Sequence, residues 1–269
     1  MPVLTAPPEI ELPTISFFGR SLDEYARFFA LDPGAWRDRA ILDVAAGPSS
    51  FTAEACRRGI DAVAVDPRYG SPVDALANNI QIDYARMFAQ MRAKPRLFKV
   101  GKMESTLPHR AGLGGRLHAR RVGTRSSGYF PSINAAESDR RAAAQRFLSD
   151  YEAHYMRGRY IGAALPHLPF LDRAFDLVLC AHLLFTYSRH FSFDWHVAAC
   201  RELARVSAGE VRIHPVCGPD GRRYPQLADL QRELLISGIA SKLVPVAYEF
   251  FIGSNSMLVL NPSDGRTPA

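Results

Sequence analysis

The sequence predicts an α/β fold in which helices cover both faces of a mostly parallel sheet, and three observations favour it. Short apolar strands alternate with helical segments along most of the chain. The first two strands, "RAILDVAA" and "DAVAVD", are separated by a single helix, which indicates a parallel pair with a right-handed crossover. The chain has 269 residues, 47% of them apolar, and is therefore long enough for one large core.

The N-terminal extension, residues 1–39, is predicted to contain one helix. In "SLDEYARFFAL", Ser21 is a suitable N-cap and Glu24 follows at the capping-box spacing. The apolar residues of this helix share one face: Leu22, Tyr25, Phe28 and Phe29. Such a stripe is typical of ordinary core, although it could also close over a ligand. The main domain, residues 40–269, then begins with the first strand.

An insertion is predicted between residues 71 and 160, where the alternation of strands and helices stops. Two of its segments are helical by periodicity and are expected to form a cap. Residues 101–130, between them, are rich in Gly, Arg and Ser without a period, which is typical of a mobile surface loop. The alternation resumes after residue 160, and "KLVPVAYEFFIGSNSMLVL" is predicted to form a closing antiparallel hairpin.

The positive charge of the chain is concentrated in one segment. The net charge is +6, but residues 84–130 hold eleven basic residues and one acidic residue, and the remainder holds 22 basic and 26 acidic ones. Arginines there could contact phosphates of a nucleic acid, with Tyr129 and Phe130 stacking on bases. A solvated loop is the favoured interpretation, since no RNA-binding module accompanies them. A third alternative is that a cap arginine holds an anionic substrate.

The cysteines and the apolar runs limit where the protein is expected to work. The four cysteines form no CxxC pair and show no spacing typical of a metal site, so we expect reduced thiols, no disulfides and no metal. The N-terminus has neither a basic start nor an apolar run, and nowhere do eighteen apolar residues follow one another. A cytoplasmic protein without membrane spans is therefore predicted.

Small residues and acids at the ends of the first two strands indicate a ligand site. Ligands of open parallel sheets bind beyond the carboxyl ends of the strands, near the switch in strand order. In "ILDVAAGPSS", Asp43 ends the strand, Gly47 leaves room for a ligand, and the helix that follows points free N–H groups at the site. Asp66 ends the second strand and can accept hydrogen bonds from two ribose hydroxyls. A dinucleotide is the rival ligand, but it requires several spaced glycines where this turn has one.

These residues, with "AVAVDPRYG" and "LPFLDRAFDLVLCAHLLF", make the chain resemble the class I S-adenosylmethionine-dependent methyltransferases over most of its length, except for the basic segment. The resemblance implies a Rossmann-like sheet of seven strands with the last one antiparallel. It implies S-adenosylmethionine as the cofactor and a small-molecule acceptor methylated on oxygen, nitrogen or carbon. It also implies that Asp43 positions the amino-acid end of the cofactor. Two alternatives remain open: an RNA-directed methyltransferase that uses the basic insertion, and a homologue that binds the cofactor without turnover.

The chain departs from the family pattern at two points. Ala45, Gly47 and Ser49 stand at the positions where these methyltransferases commonly have three alternating glycines. The acid that often contacts the adenine after the third strand is missing, so backbone groups and Leu165 are expected to hold the ring.

A small core residue is the simplest interpretation of Cys180. The predicted cofactor residues are Asp43, Ala45, Gly47, Ser49, Asp66, Pro67, Ala164, Leu165 and Cys180.

Three residues beyond the central strand "FDLVLCA" are predicted to act on the acceptor: His182, Tyr187 and His190. His182 stands where the methyl group would meet the acceptor, so it is a candidate general base, and a structural histidine is an equal alternative. Tyr187 and His190 would line the acceptor pocket or face solvent. For His214, at the end of the strand "EVRIH", a structural role is favoured. The sequence identifies neither the acceptor nor an oligomeric state.

Overall fold

The computed structural model describes residues 9–101 and 128–262. It contains a seven-stranded sheet whose strands are β1 (Ala40–Val44), β2 (Asp61–Val65), β3 (Tyr160–Ile161), β4 (Phe175–Ala181), β5 (Ser207–His214), β6 (Ile239–Pro245) and β7 (Ser256–Pro262). The spatial order is β3-β2-β1-β4-β5-β7-β6. Strands β1 to β5 are parallel, whereas β7 runs antiparallel to both β5 and β6. The predicted fold class, including the closing antiparallel hairpin, is confirmed.

Six α-helices pack around the sheet within the described residues: α1 (Leu22–Phe28), α2 (Phe51–Arg57), α3 (Val73–Ala93), α4 (Ile133–His154), α5 (Phe193–Val206) and α6 (Leu227–Ile236). Helices α1 to α4 lie on one face of the sheet, and α5 and α6 lie on the other. The strands are buried between these layers, which is why they are almost continuously apolar. Along β1, Ile41 packs with the first layer and Leu42 with the second, as the two-residue period of a strand requires.

The predicted insertion, residues 71–160, contributes the two longest helices. Helices α3 and α4 pack against each other, and their aromatic residues join the core that covers β1 and β2. Whether this layer acts as a cap stays a prediction, and the predicted mobile loop falls largely on residues 102–127, outside the described residues. In the part of the chain that the structure describes, no helix is both long and apolar enough to cross a membrane.

Helix α1 begins as predicted but uses its first-turn glutamate differently. The side chain of Ser21 accepts a hydrogen bond from Glu24 N, and the predicted apolar face is buried. Instead of bonding back to the N-cap, the Glu24 carboxylate accepts hydrogen bonds from Arg140 Nε at 3.0 Å and Nη2 at 2.7 Å, and from the Tyr248 hydroxyl. Both charged side chains are almost fully buried, so this pair joins α1, α4 and the segment between β6 and β7.

We expect Glu24→Gln to destabilise the fold by about 3–5 kcal/mol, because it leaves the buried Arg140 guanidinium without a counter-charge. Denaturant unfolding followed by circular dichroism measures this loss. Asp229→Asn is the matched control, since Asp229 pairs with Arg232 on the exposed face of α6. Its cost should stay below about 1 kcal/mol. Equal costs for the two variants would contradict a central role for the Glu24 pair.

Candidate functional site

The turn after β1 bends sharply because two of its residues adopt a left-handed backbone. Ala45 has a φ of 57° and Gly47 a φ of 55°. Glycine takes this conformation without a Cβ penalty, whereas the alanine carries a strain of about 1 kcal/mol. The turn is tied to the end of β2, because Ala46 N donates to Val65 O at 3.1 Å. The ends of β1 and β2 are therefore held together at one edge of the sheet.

Asp66, at the end of β2, faces this turn. Its Oδ2 accepts from Gly47 N at 3.1 Å and its Oδ1 accepts from Arg68 N at 2.9 Å. The side chain lines a cavity at this edge of the sheet, although only 8% of the residue is exposed. Burial raises the pKa of Asp66, while the two backbone N–H groups oppose that rise. Each carboxylate oxygen keeps further acceptor capacity, so Asp66 can still bind hydroxyl groups of a ligand.

Asp43 lies beneath the cavity rather than in its wall. It is fully buried in β1, and its Oδ1 is 3.2 Å from the Tyr25 hydroxyl, which is also 3.3 Å from Ser49 Oγ. Burial is the main cause that raises the pKa of Asp43 well above its ordinary value. Asp43 thus acts on the site through Tyr25 and Ser49, which do line the cavity. Its predicted contact with the cofactor stays a prediction.

Residues 9–20, here called the N-terminal strap, lie across the turn that follows β1, which is called the first turn from here on. A Cβ at Gly19 would come within 2.2 Å of the Pro48 carbonyl group, so strap and turn are in backbone contact. The Phe17 side chain reaches the other face of the turn, 3.8 Å from where a Cβ of Gly47 would stand. The space that Gly47 was expected to leave for a ligand therefore borders the strap. Phe17 N also donates to Asp83 Oδ2 at 2.6 Å, which fastens the strap to α3.

The cavity extends from the first turn along the carboxyl ends of β1, β2 and β4. Its volume is about 120 Å³, which is smaller than the roughly 300–1,000 Å³ of most small-molecule pockets. Six residues of the N-terminal strap contribute to the wall: Ile10, Leu12, Ile15, Ser16, Phe18 and Arg20. The N-terminal strap therefore encloses part of the cavity.

His182 opens on the cavity directly after β4. Its backbone is left-handed, with a φ of 54°, and its N–H donates to His214 O at 2.6 Å. Burial, then the charge of Arg20, lowers the pKa of His182 well below its ordinary value, so the imidazole is neutral. Its Nδ1 has no hydrogen-bond partner among the described residues. In the Nε2–H tautomer, this Nδ1 is a free hydrogen-bond acceptor at the edge of the cavity.

Tyr187 and His190, predicted on the same segment, have ring centres 5.9 Å apart but differ in exposure. Tyr187 is buried and lines the cavity, and its hydroxyl accepts from Ser16 N of the N-terminal strap at 3.0 Å. His190 is exposed, with Nε2 2.7 Å from Leu12 O, and lines an adjoining groove to which Tyr187 also contributes. The structure thus brings His182 and Tyr187 together with the first turn, but not His190.

The remaining predicted cofactor residues lie outside the cavity wall. Pro67 and Ala164 are exposed, on the loops that follow β2 and β3. Leu165 and Cys180 are buried in the core beneath α5, and burial raises the pKa of the Cys180 thiol well above its ordinary value. Four of the predicted cofactor residues do line the cavity: Ala45, Gly47, Ser49 and Asp66.

Two arginines of the cavity wall were missed by the sequence analysis. Arg20 precedes the N-cap of α1, and Arg140 lies on the inner face of α4 with only 1% exposed. A signal for Arg140 existed, because it falls at helical spacing with Ala136, Ala144 and Phe147, all of them buried. A charged residue in such a stripe predicts a buried partner. No comparable pattern marks Arg20.

Several polar atoms of the cavity wall lack hydrogen-bond partners within the described residues: Arg20 Nε, Arg140 Nη1, His182 Nδ1 and Thr186 Oγ1. Buried polar atoms are nearly always bonded, so such atoms mark places where a ligand can bind. The Asp66 carboxylate adds acceptors for hydroxyl groups beside the first turn. These donors and acceptors fit a nucleoside with a polar tail together with a second polar ligand.

Comparison with known proteins gives distant similarities. No family model matches the chain. An uncharacterized protein of Methanocaldococcus jannaschii is 25% identical over 242 residues, which cover 90% of this chain and 94% of that protein.

Among solved structures, a magnesium protoporphyrin IX methyltransferase of Synechocystis is 12% identical, with 90% of this chain and 81% of that one covered and a TM-score of 0.45. A TehB-like SAM-dependent methyltransferase of Corynebacterium glutamicum is 13% identical, with 84% and 82% covered and a TM-score of 0.42. At these values the description of the fold rests on the strand order and pairing of this chain.

The two histidines at the carboxyl edge make the stability sensitive to acid. Burial lowers the pKa of His214 to about 3, and that of His182 falls well below its ordinary value of 6.5. Above pH ~6.5 both histidines are neutral in the folded and unfolded states, and their contribution to stability is complete. As the pH falls from ~6.5 towards 3, the unfolded chain binds protons that the folded chain does not. This contribution is therefore lost.

We expect His214→Gln to remove part of this dependence while keeping a donor for Ser254 O, which His214 Nε2 contacts at 2.8 Å. The free energy of unfolding of the wild type should fall relative to that of the variant by up to about 1.4 kcal/mol per pH unit below pH ~6.5. Urea titrations over that range measure it. A His214→Gln curve that runs parallel to that of the wild type would contradict the assignment.

Proposed function

We propose that this protein is an S-adenosylmethionine-dependent methyltransferase that acts on a small-molecule acceptor. The observation that carries the proposal is the position of Asp66. Its carboxylate lines the cavity at the end of β2 and is held by Gly47 N of the glycine turn after β1. That is where an acid is needed to accept hydrogen bonds from the ribose of a nucleoside cofactor bound at the strand switch point between β1 and β4.

The strand order of the sheet favours S-adenosylmethionine over a dinucleotide as the cofactor. Dinucleotide-binding sheets commonly order six parallel strands as 3-2-1-4-5-6. Here an antiparallel β7 lies between β5 and β6, as the resemblance to methyltransferases implies. The first turn has one glycine followed by Pro48, and the N-terminal strap contacts its backbone, so little room remains for a pyrophosphate.

The cavity wall divides into parts with different roles. Asp66 and the backbone of the first turn would hold the nucleoside, and Ser49 and Tyr25, in contact with Asp43, would orient its amino-acid end. S-adenosylmethionine supplies a methyl group that is already activated by the positively charged sulfur. The protein then has to align the acceptor and exclude water. The N-terminal strap, which covers the first turn, serves this exclusion.

His182 is the proposed general base. It opens on the cavity at the end of β4, and its neutral imidazole has a free Nδ1 that can take a proton from the acceptor. Such a base is required only when the acceptor atom must lose its proton. Tyr187 has a different role in this proposal: its hydroxyl accepts from Ser16 N and holds the N-terminal strap over the cavity.

The cofactor assignment predicts a binding defect in Asp66→Asn. The asparagine amide keeps an acceptor for Gly47 N but loses the charge and half of the acceptors for ribose hydroxyls. Isothermal titration with S-adenosylhomocysteine should show at least about tenfold weaker binding, or about 1.4 kcal/mol. Asp61→Asn, at the exposed start of the same strand, should bind like the wild type. A wild type that does not bind S-adenosylhomocysteine would refute the proposed function.

The catalytic assignment predicts that His182→Gln binds S-adenosylhomocysteine normally but transfers methyl groups more slowly. Loss of a general base lowers the rate by about 10²–10⁴-fold. The measurement is incorporation of label from methyl-labelled cofactor into a metabolite extract, followed by mass spectrometry, with His190→Gln as the control. Unchanged incorporation by His182→Gln would exclude it as the base. Cofactor binding without a methylated product from any wild-type incubation would favour a protein that has lost turnover.

A further inference from the structure

Two guanidinium groups of the cavity wall, that of the buried Arg140 and that of the half-buried Arg20, lie near a single carboxylate, that of Glu24. Arg140 is paired with Glu24, as described above. Arg20 forms no ion pair with any described residue, and its one side-chain hydrogen bond runs from Nη1 to Phe18 O at 3.3 Å. A further acid, Asp139, accepts from Ser21 Oγ and does not line the cavity. The cluster of Arg20, Arg140 and Glu24 therefore holds one more positive than negative charge.

This excess charge lies in apolar surroundings. The Arg140 guanidinium is 4.5 Å from the ring centre of Phe250, 5.4 Å from that of Phe18 and 5.6 Å from that of Phe130. Burial, followed by repulsion from Arg140, lowers the pKa of Arg20. A buried charge is normally paired, because leaving it unpaired costs several kcal/mol. An unpaired arginine that faces a cavity therefore indicates an anionic ligand.

The free donors of the two arginines face the cavity. Arg20 Nε and Arg140 Nη1 are buried without partners among the described residues, and both side chains belong to the cavity wall. The planar donor fork of a guanidinium matches the two oxygens of a carboxylate. The wall beyond them is apolar and is formed by Met87, Met91 and Phe98. A ligand that fits both parts has an apolar body and one carboxylate.

The position of the arginines favours the acceptor over the cofactor as the source of this carboxylate. Arg20 and Arg140 both act electrostatically on His182, the proposed base. Arg20 also borders the cofactor side, because its backbone N–H donates to Ser49 Oγ at 3.1 Å. Arg140 lies on the apolar side of the cavity, 4.5 Å from the ring centre of Phe250, which is itself 5.2 Å from that of Phe98. We propose that the methyl acceptor is an apolar molecule with a carboxylate, bound by Arg20 together with the free edge of Arg140. This inference rests on the proposed function.

The experiment begins with a metabolite extract separated by anion exchange. Each fraction is incubated with the protein and methyl-labelled S-adenosylmethionine. The acceptor should be found in the retained, anionic fraction, and Arg20→Met should lower incorporation from a limiting amount of that fraction at least tenfold. Arg27→Met is the control, because Arg27 lies on the exposed side of α1. Label incorporated only from the unretained fraction would overturn the inference.

Titration with S-adenosylhomocysteine distinguishes the two sources of a carboxylate. If Arg20 binds the acceptor, Arg20→Met should bind S-adenosylhomocysteine within twofold of the wild type. A tenfold loss that is absent for 5′-methylthioadenosine, which has no carboxylate, would place Arg20 on the cofactor and overturn the inference. The thermal unfolding temperature of ligand-free Arg20→Met should be unchanged or higher, since an unpaired charge is removed. A marked decrease would indicate a structural role and would also overturn it.

A third measurement separates failure of this inference from failure of the proposed function. Ligand-detected NMR compares phenylacetate with neutral phenylacetamide, both added to the free wild-type protein and to Arg20→Met. The wild type should prefer the carboxylate at least tenfold, and Arg20→Met should lose that preference. This result would support a carboxylate site even if no nucleoside bound. Equal binding of the two probes by the wild type would contradict the site, whatever the outcome for the cofactor.

Discussion

The buried pair of Glu24 and Arg140 is the interaction on which the architecture around the cavity depends. It joins α1, α4 and, through the Tyr248 hydroxyl, the segment between β6 and β7. Removing two charges from water costs several kcal/mol per ion, and the hydrogen bonds and aromatic rings around the pair must offset that cost. These elements come from distant parts of the chain. The pair therefore specifies how they meet, and it leaves Arg20 beside an already occupied carboxylate.

Much of the fold follows from local sequence patterns. The alternation of apolar strands with helices predicts the sheet, because each strand is buried on both faces and each helix presents one apolar stripe. The proximity of Gly47 and Asp66 was also predictable, since the carboxyl ends of neighbouring parallel strands share one edge. The burial of the α1 face, from Leu22 to Phe28, followed from helical spacing in the same way.

The details of the site depend on contacts between segments far apart in the chain, which no local pattern encodes. Gly47 borders Phe17 because the N-terminal strap crosses the turn, and proline-rich sequence before α1 does not reveal that path. The Glu24 capping-box spacing is real, but a guanidinium from α4 competes for the carboxylate and is the stronger partner. Tyr187 and His190 have neighbouring rings, yet only Tyr187 is buried, because its hydroxyl lies against Ser16 of the N-terminal strap.

The strand order also determines how the sheet ends. One edge is β3, which has two residues, and the other is β6, which carries Lys242 and finishes at Pro245. Unpaired backbone groups at an edge can recruit a strand from another molecule, and short length, lysine and proline are the features that oppose such recruitment. Both margins of this sheet are therefore poor templates for aggregation, even though its interior is almost wholly apolar.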